Sequence, residues 1–155
     1  MNLTPLWFLS TAVTIRVSES DGQDGVSILE HRVPFGDSPP LHIHHTEDEI
    51  FQILEGEFRF VIQDQEQRIG PGDIRLAPKG VPHTYRAESP EGGHFLTVTV
   101  HGDFERFVRA MAHPAPNPGL PEPAGAPSPE AIQALAETAA RYGIEFVGPP
   151  LSEIA

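Results

Sequence analysis

Two short runs of the chain hold side chains that suit a transition metal. His42 and His44 lie two residues apart, so on a β-strand both imidazoles leave the same face. Glu49 follows at the start of an apolar run, and His83 comes after a stretch punctuated by glycine and proline. Three imidazoles and one carboxylate are ligands for one divalent transition metal: iron, manganese, nickel, cobalt, copper or zinc. If these four side chains meet in space, the protein contains a metal site built inside a small β-sheet structure.

Length and composition favour one β-rich domain. The chain has 155 residues, the size of a single domain, and its apolar fraction of 39% is that of a folded globule. Seventeen prolines and fourteen glycines suit short strands with tight turns better than a helical protein. The absence of cysteine excludes a disulfide framework, a thiol nucleophile and thiolate-bound zinc.

The charge balance argues against two classes of partner. The formal net charge is −12 and no basic run offsets it, so neither nucleic acid nor an anionic membrane is an expected partner. The apolar N-terminal segment has no Lys or Arg before Arg16, so it lacks the basic region of a signal peptide, and it is too short to span a bilayer. We therefore expect a cytoplasmic protein that acts on a small molecule.

Alternating apolar residues and turn signals predict about eight strands before residue 101. A turn is predicted over residues 64–67, between two of these strands. This pattern is typical of an all-β protein, an antiparallel sandwich or barrel. The predicted strands cover residues 11–17, 26–33, 41–44, 49–55, 57–63, 74–78, 83–88 and 94–100.

The remainder of the chain changes character. Apolar residues at helical spacing predict a short amphipathic helix that starts near Asp103. The proline-rich segment 113–129 indicates an extended connector that does not join a sheet.

A second helix is predicted after the connector. Ser128 is its N-cap, Pro129 its first residue and Gly143 its end, and the tail after it is expected to add an edge strand or to pack on the body. We expect this alanine-rich helix to serve packing, with a lid or a dimer contact as alternatives. We divide the chain into a barrel, residues 1–102, and a helical extension, residues 103–155, packed on the same domain.

The spacing of both runs resembles the two motifs of the cupin superfamily. The first motif is a glycine, His-x-His, a glutamate and a second glycine, which here are Gly36, His42, His44, Glu49 and Gly56. The second motif is Gly, Pro-x-Gly and His, which here are Gly72, Pro78, Gly80 and His83. Every spacing is met, and two complete motifs are far more specific than a lone His-x-His. Only Ala87 departs, at a position where asparagine is common and which binds no metal.

Within the cupins, the chain resembles the quercetin-dioxygenase-like group of single-domain bacterial proteins. The segments that carry this likeness are residues 39–60, 102–116 and 141–151. The resemblance implies a cupin double-stranded β-helix, a jelly-roll barrel, followed by two short helices. It also implies that His42, His44, Glu49 and His83 bind the metal and leave open coordination positions. In the quercetinases the glutamate corresponding to Glu49 leaves the metal to accept a substrate proton, which makes Glu49 the catalytic candidate.

The alternation of strand residues suggests a pocket wall beside the metal. Phe51 and Ile53 share a face with Glu49, as Tyr85 does with His83. We predict an apolar pocket suited to a ring-shaped ligand, although the same side chains could simply be barrel core. The candidate residues are Phe51, Ile53, Phe58, Phe60 and Tyr85.

Other ligand-type residues near the motifs are assigned to the structure. His45 points away from the face of His44 and is expected at the surface or behind the ligands. Glu47 and Asp48 are expected in a solvated turn. The histidines without a favourable spacing are assigned structural roles, namely His31, His94, His101 and His113.

Two functions remain open. The first is a metal-dependent dioxygenase-type oxidoreductase acting on a small aromatic or enolisable substrate, as in the quercetinases. The second is a metal-binding cupin without oxygen chemistry, namely an isomerase, a lyase or hydrolase, or a small-molecule-binding protein, because fold alone does not decide function. We also predict a homodimer, since an apolar N-terminal strand at a sheet edge needs a partner.

Overall fold

The computed structural model of the protein describes residues 3–154. Met1, Asn2 and Ala155, the outermost residues of the two predicted segments, lie outside the described residues. The strands are β1 (Leu6–Phe8), β2 (Thr11–Val17), β3 (Ser27–Val33), β4 (Leu41–His44), β5 (Glu49–Glu55), β6 (Phe58–Ile62), β7 (Gln65–Ile69), β8 (Ile74–Ala77), β9 (His83–Ala87), β10 (Gly93–Thr99), β11 (His113–Pro114) and β12 (Ile144–Gly148). The helices are α1 (Asp103–Met111) and α2 (Pro129–Arg141). Neither helix is long and apolar enough to cross a membrane.

The strands form two antiparallel sheets that face each other. The larger sheet has the order β11-β1-β2-β3-β10-β5-β8, and the smaller sheet has the order β12-β4-β9-β6-β7. Neighbours in sequence are often not neighbours in the sheets, as in a jelly roll. The expected all-β barrel with two helices after it is confirmed.

The main core cluster lies between the sheets and is built from apolar inward residues of strands in both sheets. In β5, Phe51 and Ile53 are buried while Ile50 is exposed, which is the alternation expected of a half-buried strand. Five of the ten residues in the main core cluster are aromatic, so much of the apolar surface buried on folding comes from these rings. The cluster consists of Val33, Phe51, Ile53, Phe58, Phe60, Ile69, Ala77, Tyr85, Ala87 and Phe95.

Both helices begin and end as the sequence indicates. α1 starts at Asp103 and buries Phe107 and Val108 against the barrel. The Ser128 hydroxyl accepts a hydrogen bond from the backbone N–H of Ala131, which caps α2. Gly143 follows α2 with φ 71°, a left-handed conformation that favours glycine.

The turn predicted over residues 64–67 is wrong in extent. Gln65–Ile69 forms the edge strand β7, and the turn is confined to Gln63 and Asp64. Gln63 has φ 59°, which lets the chain reverse in two residues. The polar side chains of β7 face outward, so the backbone pairs with β6 although the sequence has no apolar alternation.

The proline-rich connector does join a sheet, contrary to prediction. His113 and Pro114 pair with Trp7 and Leu6 at the edge of the larger sheet. An edge strand tolerates proline because one side of it needs no donor. The pairing covers β1, so the open N-terminal edge that suggested a homodimer is already occupied.

Candidate metal centre

The four predicted ligands come together from three strands in two different sheets. His42 and His44 lie on β4, and His83 is the first residue of β9 in the same sheet. His42 and His83 are directly opposite each other in the register of this strand pair. Glu49 is the first residue of β5, in the other sheet. One donor atom from each of the four side chains lies within 4.8 Å of the others.

Distances within the cluster match those between neighbouring ligands of one metal ion. Glu49 Oε2 lies 3.0 Å from His83 Nε2 and 3.1 Å from His44 Nε2. Two ligands at right angles around an ion, each with a bond of about 2.1 Å, are separated by about 3.0 Å. The ring centroid of His42 lies 5.1 Å from that of His44 and 4.4 Å from that of His83. The three histidines and the glutamate therefore fit a shared transition metal.

Hydrogen bonds behind two of the rings fix their orientation. His42 Nδ1 lies 2.7 Å from the carbonyl oxygen of Pro40, and His83 Nδ1 lies 3.4 Å from that of Val81. A carbonyl oxygen only accepts, so Nδ1 carries the proton in each ring. When such a ring is neutral, its lone pair is on Nε2, which is the form of histidine that binds a metal.

Burial and mutual charge set the protonation of the cluster. Burial, followed by the neighbouring His83 and His44, lowers the pKa of His42 to about 3, which keeps this ring neutral. Burial would raise the pKa of Glu49, but the charge and hydrogen bonds of His44 and His83 outweigh it and hold that pKa well below its usual range. For His44, burial opposes the charged form, and Glu49 and Glu47 more than compensate, so its pKa is raised. The cluster therefore presents an ionised carboxylate.

The predicted pocket residues all lie in the main core cluster, and one of them, Phe51, contacts a candidate metal ligand. The Phe51 ring contacts the His83 ring, with centroids 5.8 Å apart, and it also packs on Phe60 and Tyr85. The Tyr85 hydroxyl donates to the Asp37 carboxylate at 3.2 Å. Two clefts of about 150 and 340 Å³ on the described part of the chain are lined by other residues. A pocket role for Phe51, Ile53, Phe58, Phe60 and Tyr85 stays a prediction.

Glu47 is not in a solvated turn as predicted, because only 1% of it is exposed. Its Oε1 accepts a hydrogen bond from the backbone N–H of Phe104 at 2.5 Å, at the start of α1. Burial, which outweighs that hydrogen bond, raises the pKa of Glu47 to about 7. One feature of the sequence could have indicated this burial. Glu47 lies two residues before Glu49, and alternate residues of an extended segment share a face. Asp48 is exposed, as expected, and accepts from the Lys79 N–H.

Two aromatic residues of the C-terminal extension also reach the centre. The Phe104 ring of α1 lies 5.4 Å from the His44 ring, and the Phe146 ring of β12 lies 6.5 Å from the His42 ring. Phe104 lies in the predicted amphipathic helix, and the sequence did not indicate that it would contact a candidate ligand. Elements after residue 102 therefore pack against the candidate ligands His42 and His44.

The remaining histidines of the described residues lie outside the group of candidate ligands. His31 is buried, lies 2.9 Å from the Thr97 hydroxyl and stacks on Phe95, and His94 pairs with Glu30. His45 is half exposed, as expected for the face opposite His44. His101 and His113 are exposed.

A β-barrel in which three histidines and one glutamate converge defines the class of small barrel proteins with a group that could hold a metal ion. Residues 29–99 match the cupin domain family, and this match, a distant quercetin dioxygenase relative and solved cupin structures together support membership of the cupin superfamily. The chain is 27% identical over 79 residues to quercetin 2,3-dioxygenase of Bacillus subtilis (strain 168). The aligned segment covers 51% of this chain and 23% of the relative. It spans less than half the length of the curated relatives it matches.

Solved structures show the same fold. An RmlC-like cupin from Shewanella frigidimarina NCIMB 400 superposes with a TM-score of 0.56 at 17% identity, covering 65% of this chain and 88% of the other. A polyketide cyclase from Streptomyces resistomycificus superposes with a TM-score of 0.55 at 24% identity, covering 63% of this chain and 73% of the other.

Proposed function

We propose that the protein is a metal-dependent dioxygenase-type oxidoreductase acting on a small aromatic or enolisable organic substrate. The observation that carries the proposal is the buried convergence of His42, His44, Glu49 and His83, with the ionised Glu49 carboxylate shared between two imidazoles. This donor set is suited to redox-active iron, manganese, nickel, cobalt or copper as well as to zinc. The similarity to a quercetin 2,3-dioxygenase supports the oxidative reading.

Each side chain has a definite task in this proposal. A bound metal supplies a Lewis acid that increases the acidity of a coordinated substrate hydroxyl. The Glu49 carboxylate is the group placed to accept the substrate proton, because its Oε2 faces the cluster between His44 and His83. The buried ring of Phe51 and the partly buried ring of Phe104 lie beside His83 and His44 and exclude water from the reacting atoms.

The exposure of the four candidate ligands indicates from which side a substrate would reach the metal. His42 is the most exposed of the four ligands, at 9%, and the Phe146 ring stands beside it. Phe51, Phe58 and Phe60 are at most 2% exposed and pack on one another. A substrate approaching past His42 therefore has to be small, or the C-terminal elements have to move aside.

Oxygen uptake tests the oxidative proposal. Protein loaded with Fe(II), Mn(II), Co(II) or Ni(II) is supplied with a panel of flavonols and diketones in an oxygen electrode. We expect uptake with at least one pairing of metal and substrate, and none with a His44→Ala/His83→Ala double variant. No uptake with any pairing would reject the dioxygenase.

A second function is a metal-binding cupin without oxygen chemistry, namely an isomerase, a lyase or hydrolase, or a small-molecule-binding protein. The packed rings beside the ligands favour it because they leave little space for a flavonol. The shared fold of a polyketide cyclase is consistent with such chemistry. Isomerisation or decarboxylation by zinc-loaded protein under anaerobic conditions would support this function over the first.

We also propose a cytoplasmic homodimer. Ile50 of β5 pairs with Leu76 of the edge strand β8. Ile74 lies two residues before Leu76 on β8. All three side chains are exposed, between 38% and 57%, which makes this sheet face an apolar surface that a second copy can cover. Light scattering should give twice the chain mass, and an Ile74→Lys/Leu76→Lys variant should give one chain mass. A monomeric parent would reject the dimer.

A further inference from the structure

His44 differs from the other two ligand histidines in what lies behind its ring. The Nδ1 atoms of His42 and His83 face the carbonyl oxygens of Pro40 and Val81. His44 also turns its Nε2 towards the cluster, but its Nδ1 is buried and has no hydrogen-bond partner within residues 3–154. This ring therefore lacks the acceptor that fixes the tautomer of a metal-binding histidine.

Glu47 carries the complementary unpaired atom. Its Oε1 is bound by the Phe104 N–H, whereas its buried Oε2 has no hydrogen-bond partner among the described residues. Glu47 lies three residues after His44 and within electrostatic range of it. A buried polar atom without a partner is costly. His44 and Glu47, three positions apart, each carry one such atom, and a bond between these two atoms in the functional state would satisfy both.

We propose that Glu47 is a positioning residue of the metal centre, whose Oε2 accepts a hydrogen bond from His44 Nδ1–H, directly or through one water. The bond keeps the imidazole lone pair on Nε2, towards the metal, and makes the ring a stronger donor. The inference rests on the metal site of the proposed function and adds to it a residue that binds no metal. Glu47 does not belong to the group of ligand atoms within 4.8 Å of one another.

The second oxygen of Glu47 has a separate structural task. α1 has Gly102 at its N-cap and no side-chain cap of its own, and Glu47 Oε1 supplies an acceptor to the first turn from outside the helix. Thr46 reinforces this contact by donating to the Asp103 carboxylate at 2.7 Å. A test therefore has to separate helix capping through Oε1 from positioning of His44 through Oε2.

Glu47→Gln makes this separation. The glutamine carbonyl oxygen still accepts from Phe104 N–H, but the side-chain NH₂ placed towards His44 cannot accept from Nδ1–H. We expect the zinc affinity, measured by competition with a chromophoric chelator, to fall about 10- to 100-fold. Glu145→Gln is the matched control, because it removes the same charge from a side chain that is 53% exposed. Glu145 pairs with Ile43 of the ligand strand β4, so the control lies close to the same strand. Its zinc affinity should equal that of the parent.

A spectroscopic readout distinguishes positioning from mere capping. In zinc-loaded protein with nitrogen-15-labelled histidine, the His44 Nδ1–H resonance should be visible in the parent and shifted or lost in Glu47→Gln. The resonances of His42 and His83 should stay in place in both proteins. Equal zinc affinity of the Glu47→Gln and Glu145→Gln variants, or an unchanged His44 resonance, would overturn the inference.

A structure of the zinc-loaded parent decides the matter if Glu47→Gln does not fold. We expect His44 Nδ1 and Glu47 Oε2 at about 2.7–3.2 Å, or both bound to one water. A wider gap without a bridging water would overturn the inference while leaving the metal site in place. A parent that binds no zinc would instead reject the metal site of the proposed function, and this inference with it.

Discussion

Glu49 Oε2 and His83 Nε2 lie 3.0 Å apart although the two residues are separated by 34 positions in the chain and stand in opposite sheets. The contact exists only when the sheets have packed on each other, so folding and assembly of the ligand set are one event. A metal bound here would join β5 of one sheet to β4 and β9 of the other. Stability and metal affinity are therefore linked quantities.

Replacing the ligand carboxylate should weaken metal binding severely. Glu49→Gln keeps the shape of the side chain but removes the charge that the two imidazoles contact. Substituting a residue that only hydrogen-bonds to a metal ligand costs about 10- to 100-fold in metal affinity. For the ligand itself we therefore expect a loss of at least about 100-fold in zinc affinity. Glu55→Gln, at the exposed end of the same strand, is the control and should bind like the parent. Competition with a chelator measures both, and equal affinities would exclude Glu49 as a ligand.

Metal should stabilise the fold by mass action. At a free metal concentration about 100 times Kd, the free energy of unfolding should rise by about 2.7 kcal/mol. Thermal unfolding with and without zinc measures the change, and an excess of EDTA should reverse it. The His44→Ala/His83→Ala variant should show no rise, and an equal rise in that variant would mean that the metal binds elsewhere.

The metal-free protein should lose stability in mild acid through His31. Burial lowers the pKa of this ring from 6.5 to about 4, so the unfolded chain takes up a proton that the folded protein refuses between these pH values. The contribution of His31 is complete above pH 6.5 and falls by roughly 3 kcal/mol as the pH drops to about 4.

Urea unfolding in the presence of a chelator at several pH values measures this effect. A His31→Asn variant should show a shallower decline between pH 6.5 and 4 than the parent, because Asn does not titrate. The exposed His101→Asn is the control and should follow the parent. Parallel decline of the parent and the His31 variant would contradict the assignment.

The glycine that ends α2 should also matter for the metal centre. Gly143 has φ 71°, and a Cβ added to it would lie 2.8 Å from Thr46 in the loop between the ligand strands β4 and β5. Gly143→Ala should therefore lower both the unfolding free energy and the zinc affinity. Gly125→Ala has a similar φ of 74° but open space around it, so it carries only the conformational cost, about 1–2 kcal/mol at most. Equal effects of the two substitutions would show that the Thr46 contact is unimportant.

The convergence of the four candidate ligands could be predicted because its information is local. His42 and His44 share a strand face by alternation, and the spacing to Glu49 and His83 fits the cupin motifs. The strands with alternating apolar residues were predictable for the same reason. The polar edge strand β7 was not, because its stability comes from backbone pairing with β6 and not from its own side chains.

Long-range contacts account for the other differences. The burial of Glu47 depends on α1, which lies 57 residues further along the chain and provides the Phe104 N–H. The pairing of His113 and Pro114 with β1 depends on an edge that is more than 100 residues away. Neither contact leaves a periodic signal in the sequence, because in each case the partner is a backbone group at a site that only the packed fold creates.

Metal content measured on untagged protein tests the central claim most directly. Elemental analysis of protein purified without chelator, and again after reconstitution, should give about one divalent transition metal per chain, since the four ligand atoms enclose a single site. The His44→Ala/His83→Ala variant should give none. Absence of metal from the parent even after reconstitution, or equal content in the variant, would contradict the account of a metal centre built by His42, His44, Glu49 and His83.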